Sequence, residues 1–240
     1  MVLNMSDAIS IEYIFTFEDG RIEIFTLLLD RQTLSLIGED LQEKPGWTEL
    51  LRNRCSLCSL DEQSHTHCPI ALNMAGIASA FRDCYAYEKV KVTVETEERT
   101  YTKETIIQEG LGSLIGIIMV ASGCPTMEYL KPMVRFHLPF ASLHETIFRM
   151  ASVYLLAQYF IKQEGREPAW DLARIQDIYG RVGELNRDFA QRLAQAATKD
   201  ANANALVNLD CFASMVPLAV DDILTELKQY FSAYLRHGSA

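Results

Sequence analysis

The sequence predicts an α+β protein, in which an N-terminal antiparallel β region is followed by a C-terminal helical bundle. Apolar and polar residues alternate on both sides of Asp19-Gly20, which is typical of a β-hairpin. From Ser142 onward, apolar residues recur at spacings of three and four, which indicates amphipathic helices. We therefore expect a β-rich region with a metal-binding loop over residues 1–105 and a helical region over 106–240, within one continuous domain.

The composition and the net charge limit which classes of binding partner are expected. The chain has 240 residues, 49% of them hydrophobic, and a net charge of −10. An acidic chain without a run of Lys and Arg is not expected to bind nucleic acid or an anionic membrane surface. The first residues lack the basic and apolar regions of a secretory signal, so the six cysteines are expected to be reduced thiols in the cytoplasm.

The β elements can be placed from turn and alternation signals. Asp19-Gly20 predicts a two-residue type I′ turn, which would pair Phe17 with Ile22 and Phe15 with Ile24 on one buried face. A second strand pair is predicted over residues 89–95 and 99–105, because Val and polar residues alternate in the first of these segments.

The helices can be placed from caps and breakers. Gly123 is a natural end for the first, Ser142 and Glu145 form a capping box at the start of the second, and Pro217 is expected to separate the last two. The predicted helices span 106–122, 142–163, 170–197, 201–215 and 221–235. The last four are expected to form an antiparallel bundle.

The cysteine pattern carries the strongest chemical signal. Cys55-x-x-Cys58 lets two sulfurs turn towards one ion. Cys68 and Cys124 are each followed by proline and each precede a predicted helix, which places both at an N-cap where amide groups favour a thiolate. The predicted ligands are Cys55, Cys58, Cys68 and Cys124, with His67 as an alternative to Cys68.

The identity of the metal stays open at this point. Four thiolates suit Zn(II), which the nearby histidines favour, and they also suit a [4Fe-4S] cluster, which the Cys-Pro pairs favour. A metal-free dithiol is the third interpretation. Cys84 and Cys211 lie among apolar residues and are expected to be buried structural thiols.

Several ordered motifs resemble an uncharacterised bacterial family of unknown function. They are CSLCSLDEQSHTHCPIALN, ERTYTKE, SGCPTMEYLKPMVRFHLPFAS and MASVYLLAQYF, and the similarity extends from about Thr48 to Phe231. Members of that family have proline after more of the cysteines, whereas Ser59 follows Cys58 here. The resemblance implies a bacterial, cytoplasmic setting and one domain that contains both the strands and the helices, but no catalytic residues.

Three functional hypotheses follow from the cysteine pattern. The first is a non-enzymatic metal-binding protein, whose closed site stabilises the fold and which acts through contacts with an unidentified protein partner. The second is an iron–sulfur redox sensor or electron-transfer module. The third is a zinc-dependent enzyme, which would require an open coordination position on the ion. The apolar hairpin and bundle also suggest a homodimer.

Overall fold

The computed structural model describes residues 8–38, 41, 43–196 and 198–237, and its N-terminal half contains an antiparallel four-stranded sheet. Alternation of apolar residues and the turn at Gly20 account for the first two strands. The strands are β1 (Ala8–Phe17), β2 (Ile22–Asp30), β3 (Lys89–Glu95) and β4 (Thr100–Ile106). They lie in the order β2-β1-β3-β4. The α+β fold class and the second strand pair are confirmed.

The predicted register of the first hairpin is wrong by one residue. Ile14 pairs with Ile24 and Phe15 pairs with Glu23. The Phe17 amide donates to the Arg21 carbonyl at 2.9 Å, and Gly20 has a φ of +87°. This is a three-residue loop with glycine in the left-handed region, in place of a two-residue type I′ turn. A one-residue shift moves each side chain of β2 to the other face, so Ile22 and Ile24 are both 56% exposed.

Two helices cover the inner face of the sheet. They are α1 (Pro69–Ala80) and α2 (Ile107–Ala121). The Phe81 ring, just after α1, lies 5.0 Å from the Phe15 ring. At Gly110 of α2, an added Cβ would lie 2.7 Å from Val92 Cγ2 and 3.0 Å from Phe15 Cε1. The absence of a side chain at Gly110 therefore sets the distance between α2 and the sheet.

The C-terminal half is helical, as predicted. It contains α3 (Lys131–Arg135), α4 (Leu143–Gln163), α5 (Ala173–Leu193), α6 (Ala201–Leu227) and α7 (Ser232–His237). The capping box of Ser142 and Glu145 is present at the start of α4. The expected break at Pro217 is wrong, because α6 continues through this residue. Proline removes one backbone donor, and packing of α6 against α2, α4 and α5 maintains the helix.

A single hydrophobic core extends from the sheet to the helices among the described residues. The helical stretch Ala201–Arg236 is long and apolar enough to cross a membrane by length and composition alone, a test that core helices of soluble proteins also pass. Ala201, Ala205 and Leu206 of α6 are fully covered by the core, whereas 28% of the apolar window as a whole is buried. One such helix is weak evidence for a membrane span, and the fold is compatible with a soluble protein.

Candidate metal centre

The cysteine loop (residues 49–68) connects the sheet to α1 and is closed at its base by backbone pairing. The Leu50 amide donates to the Thr66 carbonyl at 2.9 Å, and the Cys68 amide donates to the Thr48 carbonyl at 2.8 Å. Within the loop, the Cys58 amide donates to the Cys55 carbonyl at 3.0 Å. This backbone hydrogen bond closes a tight turn over the Cys-x-x-Cys motif, the kind of local structure in which two sulfurs can chelate one ion.

Helix α5 holds the loop between these two cysteines. The Ser56 amide and hydroxyl donate to Asp188 Oδ2 at 2.7 and 2.6 Å. The same hydroxyl lies 2.7 Å from Glu184 Oε1. Glu184 and Asp188 are one turn apart on α5 and face the loop together. The C-terminal half of the chain therefore positions the chelating turn, although the sequence prediction anchored the loop only through Cys68 and Cys124.

Arg192, on the next turn of α5, is a buried cation beneath the loop. Its side chain is 1% exposed. The guanidinium donates four hydrogen bonds of 2.6 to 3.1 Å to backbone carbonyls of the loop and its base. The acceptors are Trp47, Glu49, Leu50 and Asn53. Its Nε has no hydrogen-bond partner, and no carboxylate among the described residues lies within ion-pair distance of it.

Cys68 is the N-cap of α1, as the Cys-Pro pair predicted. Pro69 occupies the first helical turn. The Cys68 side chain makes no capping hydrogen bond, but the nearby backbone amides of Ala71 and Ile70 lower the pKa of its thiol. Burial has the larger effect and raises the pKa of the Cys68 thiol overall. Burial therefore outweighs the two amides, and without a bound cation the Cys68 side chain is a protonated thiol near neutral pH.

Cys124 lies in a different local structure from the predicted helix N-cap. It follows Gly123, whose φ of +78° ends α2, and it precedes a 3-10 turn at Glu128–Leu130 and the short α3. Pro132 interrupts the segment with a second proline, which favours two short pieces over one continuous helix. The amides of Thr126 and Met127 nevertheless face the Cys124 sulfur and lower its pKa, although burial raises it overall.

Electrostatic coupling places the four cysteines in one neighbourhood. The pKa of Cys55 is raised to about 12, mainly by burial and to a smaller extent by Cys68, Asp188 and Cys124, against the lowering effect of Arg192. Cys58 also raises the pKa of Cys68 and of Cys124. Thiols with such pKa values are protonated at neutral pH, so a cation that binds them must displace protons.

The side chains of the predicted ligands do not form a complete metal-binding set in this structure. No group of three or more His, Cys, Asp or Glu residues in the described part of the chain is arranged so that it could hold a metal ion. His67, the alternative ligand, has its Nδ1 2.9 Å from the Thr66 hydroxyl, which leaves Nε2 for another partner. The metal site therefore remains a prediction. The four cysteines lie in one region, but their side chains are not arranged around a common position for an ion.

Two further cysteines lie outside this region. Cys84 is buried, as expected, and accepts a hydrogen bond from Arg21 at 3.3 Å. Cys211 on α6 is exposed, so the prediction that it is buried is wrong.

The residue of the candidate site that the sequence analysis missed is Arg192. A signal for it existed, because Arg192 follows Phe189 by three residues on the apolar stripe of α5.

Comparison with known proteins gives a family and no activity. A search of the curated proteins and a search of the solved structures both returned no match. The model of a family described as a domain of unknown function, DUF6901, matches residues 11–232. That match includes the whole sheet from Ile11 onward, the cysteine loop and helices α1 to α6. The chain therefore belongs to the DUF6901 family.

Proposed function

We propose that the protein is a non-enzymatic metal-binding protein, in which Cys55, Cys58, Cys68 and Cys124 bind one Zn²⁺ as thiolates. The ion would join three parts of the chain: the cysteine loop, the start of α1 and the segment after α2. A site with four protein ligands leaves no position for water or substrate. Its role would be to stabilise a surface that contacts another protein in the cytoplasm.

The observation that carries this proposal is the uncompensated charge of Arg192. A buried guanidinium without an anionic partner is costly, because neutral carbonyls replace only part of its hydration. Four thiolates around Zn²⁺ have a net charge of about −2. A centre of this charge beside Arg192 would supply the missing anion, and the lowering effect of Arg192 on the pKa of Cys55 and Cys68 has the required direction.

A [4Fe-4S] cluster on the same cysteines is the second candidate. The observation that favours it is the pair of amides facing each of two sulfurs, from Ile70 and Ala71 at Cys68 and from Thr126 and Met127 at Cys124. Amide donors to cluster sulfurs are one of the means by which proteins set a reduction potential. In that case the protein would be a redox sensor or an electron carrier.

A zinc-dependent enzyme is the third candidate and would need one cysteine to leave the ion. Cys124 is the ligand most distant in sequence. With Cys124 away from the ion, Cys55 and Cys58 together with either Cys68 or His67 would form a set of three protein ligands with an open position for water. A homodimer through the outer face of the hairpin also fits the exposed positions of Ile22 and Ile24. Sedimentation over a range of concentrations would test the homodimer.

Elemental analysis of protein purified without oxygen or chelators tests the proposal. We expect one equivalent of zinc in the wild-type chain and a loss of most of it in Cys55→Ser and Cys124→Ser. Cys211→Ser is the matched control and should keep its metal, because Cys211 is exposed on α6. Full metal content in Cys124→Ser would remove that cysteine from the ligand set. Iron with acid-labile sulfide would replace the zinc proposal with the cluster.

A further inference from the structure

We propose that a cavity in the helical half binds a small apolar molecule that bears one carboxylate. The cavity has a volume of about 590 Å³ and lies between α2, α3, α4, α5 and α6, remote in sequence from the cysteine loop. This volume is within the range of small-molecule sites, about 300 to 1,000 Å³. The proposal is independent of the metal centre.

The charge of the cavity wall favours an anion, although the chain as a whole is acidic. The charged side chains of the lining are Lys103, Glu109 and Arg149. Glu109 is paired with Lys103 at 3.2 Å. Arg149 donates to the Met133 and Phe136 carbonyls at 2.8 and 2.6 Å. No carboxylate in the described part of the chain lies within ion-pair distance of Arg149. Glu145, one turn earlier on α4, acts on this charge from beyond that distance, and its own carboxylate is engaged in the capping box with Ser142.

Two further polar side chains with little solvent exposure line the same cavity. Asn186 is 2% exposed and Tyr179 is 6% exposed, and both line the cavity. Neither residue is among those whose polar side-chain atoms are fully enclosed and unpaired in the described part of the chain, so their polar ends are not sealed off from the cavity that they line. A carboxylate held by Arg149 could accept hydrogen bonds from both.

The third polar feature of the wall is neutral. His137 Nε2 lies 2.6 Å from the Tyr13 hydroxyl, which is also 2.8 Å from the Ser113 hydroxyl. Burial, with a smaller effect of Arg149, lowers the pKa of His137 to about 3. The imidazole therefore does not add a second positive charge near neutral pH. One cation matches a monocarboxylate better than a phosphate dianion.

The remainder of the wall is apolar and would bind the body of the ligand. It is formed by aliphatic, methionine and aromatic side chains together with two glycines of α2, Gly112 and Gly116. A Cβ at Gly116 would lie 3.8 Å from Leu209 Cδ2, an ordinary contact. The first carbon of a larger side chain therefore fits here, and its remaining carbons would reduce the volume available to a ligand.

Isothermal titration calorimetry with octanoate and phenylbutanoate, and with the neutral alcohols octanol and phenylbutanol, tests the proposal. We expect at least one of the two carboxylates to bind the wild-type chain, and its alcohol to bind about tenfold more weakly or not at all. Gly116→Leu should weaken carboxylate binding by about tenfold or more through lost volume. Gly180→Leu, at an exposed glycine of α5 with no neighbour within 4 Å, is the matched control and should bind as the wild type does.

The charge requirement is tested separately. Arg149→Gln and Asn186→Leu should each weaken carboxylate binding by about tenfold and leave any binding of the alcohol within about twofold. Circular dichroism establishes that each variant is folded, and Asn186→Leu provides the test if Arg149→Gln does not fold. Failure of both carboxylates to bind, or binding unchanged in Gly116→Leu, would overturn the site. Equal binding of acid and alcohol would overturn the ligand class.

Discussion

Arg192 connects the two halves of the chain at the scale of a single residue. Its four carbonyl acceptors all belong to the cysteine loop and its base, while the residue itself lies on α5. Hydrogen bonds from a charged donor contribute about 1.5–3 kcal/mol each in favourable cases and are not additive. The guanidinium therefore has two effects: it holds the loop in shape and it provides positive charge beneath the sulfurs.

The substitution Arg192→Met tests both effects of this guanidinium, and a surface arginine serves as the control. We expect a loss of at least about 2 kcal/mol in the free energy of unfolding, together with weaker zinc binding in a competition titration with a chromogenic chelator. Arg52→Met is the matched control, because Arg52 is exposed and makes one hydrogen bond to Gln195 at 2.9 Å. If Arg192→Met keeps wild-type zinc affinity, the positive charge is not part of the centre.

His137 supplies a second residue-scale prediction, in which stability depends on pH. Its pKa is about 3 in the folded protein and about 6.5 in an unfolded chain. The unfolded state therefore binds the proton more tightly, and stability falls as pH drops below about 6.5. His137 is only partly buried beside the cavity, so we discount the full effect of about 2 kcal/mol and expect a loss of about 1 kcal/mol between pH 7 and pH 5.

Chemical denaturation at several pH values measures this effect in His137→Gln, whose amide can still bond to the Tyr13 hydroxyl. We expect the variant to lose less stability than the wild type as the pH falls. His144→Gln is the control, because His144 is an exposed residue of α4. Parallel pH profiles for the wild type and His137→Gln would show that the imidazole is not the group responsible.

At the scale of secondary-structure elements, the first hairpin shows what local sequence can and cannot determine. Alternation placed both strands correctly, because period two is a property of each strand alone. The register depends on whether Gly20 occupies the second position of a two-residue turn or the left-handed position of a three-residue loop. Both options pair apolar residues, so the sequence pattern does not choose between them. The helices of the second half were easier to predict from the sequence, because capping residues act locally. Pro217 is the exception, since there the tertiary packing of α6 outweighs the lost backbone hydrogen bond.

The contact between α2 and the sheet gives an element-scale prediction. Gly110→Ala should destabilise the protein by about 1–3 kcal/mol, because the new Cβ would overlap Val92 and press on Phe15. Helix propensity alone would predict a gain of up to about 1 kcal/mol.

Gly76→Ala in α1 is the matched control for this substitution. An added Cβ at Gly76 would have no neighbour within 4 Å, so this variant should gain about 0.5–1 kcal/mol. Thermal denaturation of the two variants checks the opposite signs. Equal shifts of both melting temperatures in the stabilising direction would mean that α2 does not approach the sheet as closely as described.

At the scale of the whole molecule, one hydrophobic core includes side chains from the sheet and from the long helices. Sequence analysis gave the two regions in the right order, since strand and helix periodicities differ. It could not show that α5 reaches back to hold the cysteine loop, because contacts such as Ser56 with Asp188 join residues far apart in sequence. A pattern local to one segment contains no information about such contacts.

A continuous core predicts cooperative unfolding. We expect far-UV circular dichroism and tryptophan fluorescence to give the same denaturation midpoint in urea. Trp47 lies in the 3-10 turn at the base of the cysteine loop, so a Trp170→Phe variant isolates its signal. If the protein binds zinc as proposed, removal of the ion with a chelator should lower both midpoints together. Separate midpoints for the loop and the helices would indicate two independently folding units.

The closed base of the cysteine loop has a consequence for the evolution of the family. Because the backbone of Leu50 pairs with that of Thr66, the exposed tip between Cys58 and His67 can gain or lose residues without moving either end. Loop closure entropy rises only slowly with length. Insertions and deletions among homologues should therefore concentrate at the tip, and the same segment is the natural place to graft a peptide tag.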